Sequence, residues 1–240
     1  MDYKKYYIKY RKKFSKFINL FSNKKYLSFG ENCLADDILN RYYLKSYSSP
    51  YGSCRSNVEY ILQIEKDVDN DFLNPKYLEI CGTGGDVRNI KYLEVTNKYA
   101  PDNMEGFDFP HHNVLENANA RDTIGRRVAR LRNLGKSKTL NILYHHCYCE
   151  DTDIDLLCTH LKELKDLYEQ RCKKVNIFAF TQVLVSDESE RKVEKSDIDG
   201  VYLYRFFTTR VWQGNNNEDI FWAKPDDDLI AIMMKDMRNV

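Results

Sequence analysis

The chain has 240 residues, 42% of them hydrophobic, and its 37 lysines and arginines against 36 aspartates and glutamates leave a formal net charge of +1. That length suits one substantial domain with a core of its own, and the balanced charge excludes a global pull toward nucleic acid or anionic lipid. Seven cysteines at irregular spacings, with no apolar leader run, point to reduced thiols in a cytoplasmic protein and not to a disulfide framework; no apolar stretch has the length of a membrane span.

In chain order, Tyr7, Tyr10, Phe14, Phe17, Ile18 and Phe21 recur at helical intervals among lysines and arginines, which predicts a basic amphipathic helix over residues 1–24. Such a helix either docks on its own domain with the basic face in solvent or, through residues 1–21, meets a membrane surface or a partner protein. Residues 25–240 are expected to form a single α/β domain. A short apolar run from Tyr26 to Phe29 meets Gly30, and an amphipathic pattern with Leu34, Ile38 and Leu39 on one side starts at once, so a strand, a tight turn and a helix are expected there. The stretch from Ser48 to Ser53 breaks the chain, and Ser56 is the expected cap of a helix with Val58, Ile61, Leu62 and Ile64 on its apolar face. Residues 76–110 read as a β-rich insertion, with Tyr77 to Ile80 and Ile90 to Val95 as the strands of a hairpin around the glycine turn from Cys81 to Gly85.

The later half is more regular. Asn117 to Leu134 is helical and closed by Gly135, Thr139 to Tyr144 is an apolar strand, and Asp153 caps a helix running to about Arg171. Val175 to Val185 and Val201 to Phe207 are strands, Ser186 to Lys195 is a charged loop, and residues 226–238 form a last helix. Strand, helix and strand at this spacing make a right-handed crossover and a parallel sheet. The expected fold is α/β with three layers and a mostly parallel sheet, Rossmann-like or SGNH-like, carrying an N-terminal basic helix and a β-rich insertion.

The chemistry concentrates at Cys33, in the first turn of the helix that follows the first strand. Unpaired N–H groups there stabilise a thiolate, and the geometry is that of a nucleophile elbow with Cys in place of Ser; the alternative is a small buried hydrophobe. Asn32, or a backbone N–H of the turn, is positioned to donate to an oxyanion. Arg126, Arg127 and Arg130 lie on neighbouring faces of one helix, where guanidinium forks would hold the carboxylate or phosphate of a pantetheine-phosphate donor, a sugar nucleotide or a charged glycan. The alternative is a solvated face paired with Glu116 or Asp122. The turn from Cys81 to Gly85 lacks the Lys-Ser/Thr of a phosphate loop and fits a hairpin better. His145, His146, Cys147 and Cys149 are of metal-ligating type, but consecutive residues of a strand face opposite ways, so no metal site is expected. At the end of a parallel strand, His145 and His146 are instead rivals for a catalytic base. Trp212, Trp222 and the aromatic run from Tyr202 to Phe207 read as core and surface anchors.

Two separated regions carry a family likeness. The turn from Ser28 through Gly30, Glu31 and Asn32 to Cys33, followed by Leu39 and the Ser49-Pro-Tyr-Gly52 break, resembles the opening of an uncharacterised bacterial family described as papain-like cysteine peptidases. There a Ser-Leu-Gly-x-Asn-Cys turn precedes a helix and a Pro-Phe-Asp-Trp-like segment. Phe109, His111 and His112, then Arg126, Arg127 and Arg130, then Ile142 to Tyr144 resemble its Phe-x-His box, its Arg-Arg-x-x-Arg helix and the strand that follows. The resemblance spans roughly residues 26–185 and implies Cys33 as a thiol nucleophile with His111 as its base. The family's Phe-Asp-Trp segment reads Tyr51-Gly52-Ser53 here, so its acid is missing.

Papain-like folds set a helix against an antiparallel barrel, whereas here the thiol follows a strand. That order is also similar to SGNH-type esterases and to acetyltransferases of polysaccharide biosynthesis with a Gly-Asn-Cys turn. The SGNH base belongs to a late Asp-x-x-His pair, and no histidine lies beyond His160. The expected function is therefore a cysteine-dependent acyl-transfer enzyme, hydrolase or acyltransferase, acting on a glycan or glycoconjugate. Cys33 would be its nucleophile, His111 its base, Asn32 part of its oxyanion site, and Arg126, Arg127 and Arg130 its substrate clamps. His112, His145 and His146 are alternative bases. No cofactor is expected, with acyl-CoA a candidate donor. The alternatives are a papain-like cysteine peptidase and a non-catalytic module that binds a glycan or nucleotide sugar. Asp108 or Asp122 would orient His111.

Overall fold

The computed structural model of the protein describes residues 14, 15, 17–19, 21–82, 85–213 and 217–240. Most of the basic helix expected over residues 1–24 lies outside them; residues 14, 15, 17–19 and 21 are helical. The chain then runs β1 (Lys24–Gly30), α1 (Leu34–Arg41), α2 (Val58–Asp67), β2 (Leu78–Cys81), β3 (Asp86–Asn89), β4 (Phe107–Phe109) and α3 (Ala118–Arg132). It continues with β5 (Thr139–His145), α4 (Ile154–Glu169), β6 (Lys174–Leu184), β7 (Lys192–Ile198), β8 (Val201–Thr208) and α5 (Asp227–Asn239). The main sheet has five strands in the order β1-β5-β6-β8-β7, parallel except for β7 at one edge, and β2, β3 and β4 form a separate antiparallel sheet. The fold is the α/β class read from the sequence.

Helices cover both faces of the main sheet, which is why β1, β5 and β6 are almost continuously buried and read as unbroken apolar runs. On one face Leu27, Phe29, Ile142 and Ile177 pack with α2, α3 and α4 and with the small sheet; on the other, Tyr26, Leu143 and Phe178 pack with α1 and α5. Asn57, Asn117 and Asp153 cap α2, α3 and α4 by accepting the backbone N–H three residues on. Among the described residues, no helix is long and apolar enough to cross a membrane.

Three local expectations are corrected. The cap of α2 is Asn57 and not Ser56, because the Asn57 amide also reaches across to the Asn103 carbonyl at 2.8 Å while its oxygen takes the Tyr60 N–H at 2.9 Å. The second strand of the hairpin is β3, ending at Asn89, and residues 90–95 are irregular. Asn89 ends it by turning its amide onto the Asp71 and Phe72 carbonyls, both at 3.0 Å, while its oxygen takes the Lys91 N–H at 2.9 Å. The charged stretch expected as a loop from Ser186 to Lys195 already holds the start of β7 at Lys192. That strand is the exposed edge of the sheet, where charge is favoured. A two-residue turn joins it to β8, with φ of +53° at Asp199 and +82° at Gly200, the pairing a type I′ hairpin requires.

Candidate functional site at the carboxyl ends of two parallel strands

Parallel pairing of β1 with β5 sets Gly30 beside His145. The segment from Glu31 to Cys33 therefore leaves the sheet next to the one from His145 to Cys147. The close approach explains Gly30: its φ is +142°, and a Cβ there would lie 2.7 Å from both the backbone N and O of His145. The Glu31 N–H donates to the His145 carbonyl at 3.1 Å and continues the ladder one step past the strands.

Four groups converge on the fully buried Glu31 side chain. Tyr144 Oη donates to Oε1 at 3.1 Å, and His146 Nδ1 lies 2.6 Å from the same oxygen. The Cys147 N–H at 2.9 Å and Asn103 Nδ2 at 3.3 Å donate to Oε2. His146 Nε2 is 2.8 Å from Thr152 Oγ1, so both ring nitrogens are occupied. His145, on the other face of the strand, has Nδ1 2.8 Å from Asn32 Oδ1, which also caps α1 by taking the Leu34 N–H at 3.0 Å. As Oδ1 is an acceptor, Nδ1 carries the proton and Nε2 keeps its lone pair. Burial, with His146 adding to it, holds the His145 pKa down at about 3. Its ring stacks on Phe180 at 4.7 Å. Asn32 Nδ2 donates to Cys147 Sγ at 3.3 Å.

Cys33 occupies the N-cap of α1, half-buried, and its thiol makes no capping hydrogen bond. The thiolate-stabilising environment read from the sequence is outweighed. Burial pushes the thiol pKa up, Asp36 and Asp37 in the first turn push it further, and the backbone and Arg55 oppose them. Asp36 is itself held by Ser28 Oγ at 2.6 Å and Lys45 Nζ at 2.6 Å. Cys54 and Cys147, both buried, have thiols raised well above their ordinary value by burial.

The remaining predicted residues distribute as follows. His111 is exposed in the turn after β4, and no hydrogen bond joins it, or any other imidazole, to Cys33 among the described residues. A chain of contacts nevertheless leads from this turn to the elbow. Arg55 and Asp108 form a two-way backbone bridge at 3.2 and 2.9 Å, and the neighbouring Cys54 Sγ lies 3.7 Å from the Gly30 carbonyl. His112 is half-buried, its pKa lowered by burial and then by Arg127 and His111. Arg127 reaches Ser53 Oγ at 3.4 Å, Arg130 stacks over Tyr47 at 4.9 Å, and Arg126 is exposed with a bond to Thr123 at 2.9 Å, so Arg127 alone of the three faces the elbow side. Asp108 does not orient His111; Arg88 holds it bidentately at 2.6 and 3.1 Å. Where the resembled family has an acid, Gly52 has no room for one, since a Cβ there would collide with Ser28 Oγ.

Among the described residues, no three His, Cys, Asp or Glu side chains group as metal ligands. A cleft of about 590 Å³ between α4 and β7, lined by Asp155, Cys158, Lys195 and Arg205, holds none of the predicted site residues. Sequence reading missed Glu31 as the hub, together with Tyr144, Asn103 and Thr152 around it. Its one available signal was an acid two residues before the thiol in a chain with two histidines at another strand end. No protein-family model matches the chain. No curated protein and no solved structure matches it either.

Proposed function

We propose that the chain is a cysteine-dependent acyl-transfer enzyme with Cys33 as nucleophile. The observation that carries the reading is the position of that sulfur. It lies just past the carboxyl end of a parallel strand, at the N-cap of α1, where Asn32 Oδ1 takes the Leu34 N–H and the thiol itself makes no capping hydrogen bond. Open α/β sheets gather their ligands and reacting groups at this end.

The thiol is held up and the His112 ring held down, so the resting pair would be neutral thiol and neutral imidazole. Base and nucleophile then act together. An imidazole of the His111–His112 turn takes the Cys33 proton as Sγ bonds the acyl carbon and the carbonyl electrons move to oxygen. Backbone N–H groups at the start of α1 receive that oxyanion. The bond to the leaving oxygen or sulfur breaks as the imidazolium returns its proton, and water or an acceptor hydroxyl repeats the sequence on the thioester. Asn32 holds the elbow's shape, and Arg127 is the clamp for an anionic group, with Arg126 and Arg130 further out. A small acyl group on a glycan or glycoconjugate, with acyl-CoA as donor, fits this fold better than peptide cleavage, because the main sheet is mostly parallel and papain-like folds are built on an antiparallel barrel. All seven cysteines are free, which supports a reducing cytoplasmic setting. A second reading, a non-catalytic binding module, is favoured by the raised thiol and by the absence, among the described residues, of a base bonded to it.

The test is intact-mass analysis after incubation with p-nitrophenyl acetate or acetyl-CoA. One acetyl group is expected on the Cys33 peptide and none in Cys33→Ala, whose melting temperature should stay near that of the parent. His111→Asn or His112→Asn, whichever removes the base, should slow acylation by about 10²–10⁴-fold. Label spread over other thiols, or persisting in Cys33→Ala, refutes the reading.

A further inference from the structure

The net charge of +1 conceals a local asymmetry. The amino ends of β1, β5 and β6 are all at the end of the sheet opposite the elbow, and they are lysine-rich. Register aligns Lys24, Thr139 and Lys174 across the three strands. Lys136, Lys138 and Lys173 adjoin them, and the Lys173 N–H donates to the Lys138 carbonyl at 2.8 Å. Among the described residues, none of Lys24, Lys136, Lys138, Lys173 and Lys174 has a carboxylate partner: Lys138 Nζ bonds Asn23 Oδ1 at 3.0 Å and Lys136 bonds the Gln170 carbonyl. Two acids at this end are engaged elsewhere, Glu169 by Lys165 at 3.0 Å and Asp199 by Lys162 at 2.6 Å.

An apolar stripe adjoins this rim. Phe14, Phe17, Ile18 and Phe21 are 67%, 63%, 50% and 68% exposed, at the spacing of one helix face. The opposite face is the one that docks: Asn19 Nδ2 bonds the Tyr43 and Leu44 carbonyls, both at 3.0 Å, and its own carbonyl takes Lys25 Nζ at 3.0 Å. Upstream, the sequence adds Lys4, Lys5, Lys9, Arg11, Lys12 and Lys13 against the single acid Asp2.

We propose that this end of the molecule is a docking surface for an anionic lipid bilayer, with the aromatic stripe inserted at the headgroup boundary and the lysine rim against the phosphates. Exposed aromatic rings beside lysines that no carboxylate neutralises are the two ingredients of interfacial binding, and the charge complementarity singles out an anionic leaflet. A seven-residue strand separates the rim from the elbow by about 20 Å, so Cys33 faces away from the lipid and the surface operates whether or not Cys33 is catalytic.

The experiment is co-sedimentation of the full chain with phosphatidylcholine vesicles, with and without phosphatidylglycerol, at low and high salt. Binding is expected only with the anionic lipid and should weaken with salt. Lys136→Gln and Lys174→Gln should each lower it about fivefold, and Phe17→Ser with Phe21→Ser about tenfold or more; these side chains are exposed, so unchanged melting curves verify the fold. Cys33→Ala should bind like the parent. Equal binding to both vesicle types, or none, overturns the proposal. So does dimerisation of the chain that Phe17→Ser and Phe21→Ser abolish, or retention of an RNA oligonucleotide that those two changes leave intact.

Discussion

Replacing Gly30 by alanine tests the junction on which the site is built. The residue has φ of +142°, and its Cβ would meet the His145 N and O at 2.7 Å and Cα at 3.2 Å, all backbone atoms that no rotamer change can move. The conformation alone costs an L-residue about 1–3 kcal/mol. Relieving the contact means parting β1 from β5 where the Glu31 N–H bonds the His145 carbonyl at 3.1 Å, which adds about 1–3 kcal/mol of overpacking and about 1 kcal/mol for the weakened bond. A loss of about 3–7 kcal/mol is expected, a large share of the 5–15 kcal/mol typical of a domain. Gly135→Ala is the matched control: φ is +87° but nothing lies within 4 Å of its Cβ, so it should cost only about 1–2 kcal/mol. Urea unfolding followed by far-UV circular dichroism measures both. If the two variants lose the same stability, the close approach of the strand ends does not exist as described.

Three further outcomes follow from the same geometry. Glu31→Ala strands four polar groups in the interior and should cost about 3–5 kcal/mol by urea unfolding, with Glu31→Gln losing less; a change under about 1 kcal/mol would mean the hub is not stabilising. His145 has a folded pKa of about 3 against an ordinary 6.5, so the folded state binds fewer protons between those values and stability falls as pH drops through that window. Lowering pH from 6.5 to 4.5 should remove about 2–3 kcal/mol through this group, and His145→Gln should flatten that slope; an unchanged slope removes His145 from the account. With its thiol pKa raised, Cys33 should react with iodoacetamide more slowly at pH 7.5 than an ordinary thiol, itself about one-tenth thiolate there. The rate should climb about tenfold per pH unit; a plateau already reached near pH 6 would reveal an ion pair that contradicts it.

The elements legible in the sequence are those whose identity is settled by burial. β1, β5, β6 and β8 are covered on both faces, or nearly so, and announce themselves as apolar runs. β7 is strand only because β8 offers it an edge, and its Lys192-Val-Glu-Lys-Ser-Asp-Ile198 pattern carries charge where a buried strand would carry aliphatics. Long-range partners set the other two departures. Asn57 outcompetes the adjacent Ser56 because Asn103 lies within its reach, and β3 stops at Asn89 because the Asp71 and Phe72 carbonyls do. A local reading has no access to either choice, since the deciding atoms are 46, 18 and 17 residues away.

The site divides along the same line, with one exception that the sequence did contain. That Cys33 would begin a helix after a strand was readable; that Gly30 would lie against His145 was not, because register between β1 and β5 spans 115 residues and is set by the whole sheet. The electrostatics of the thiol, however, was open to better inference. A helix N-terminus attracts negative charge of any kind, and Asp36 and Asp37 already supply it in the first turn of α1. Two carboxylates drawn to the dipole oppose a thiolate at the same place, and burial of the sulfur works in the same direction. A cysteine at a helix start should therefore be read together with the next four residues: acids there turn an expected thiolate into a thiol that needs a base at the moment of attack.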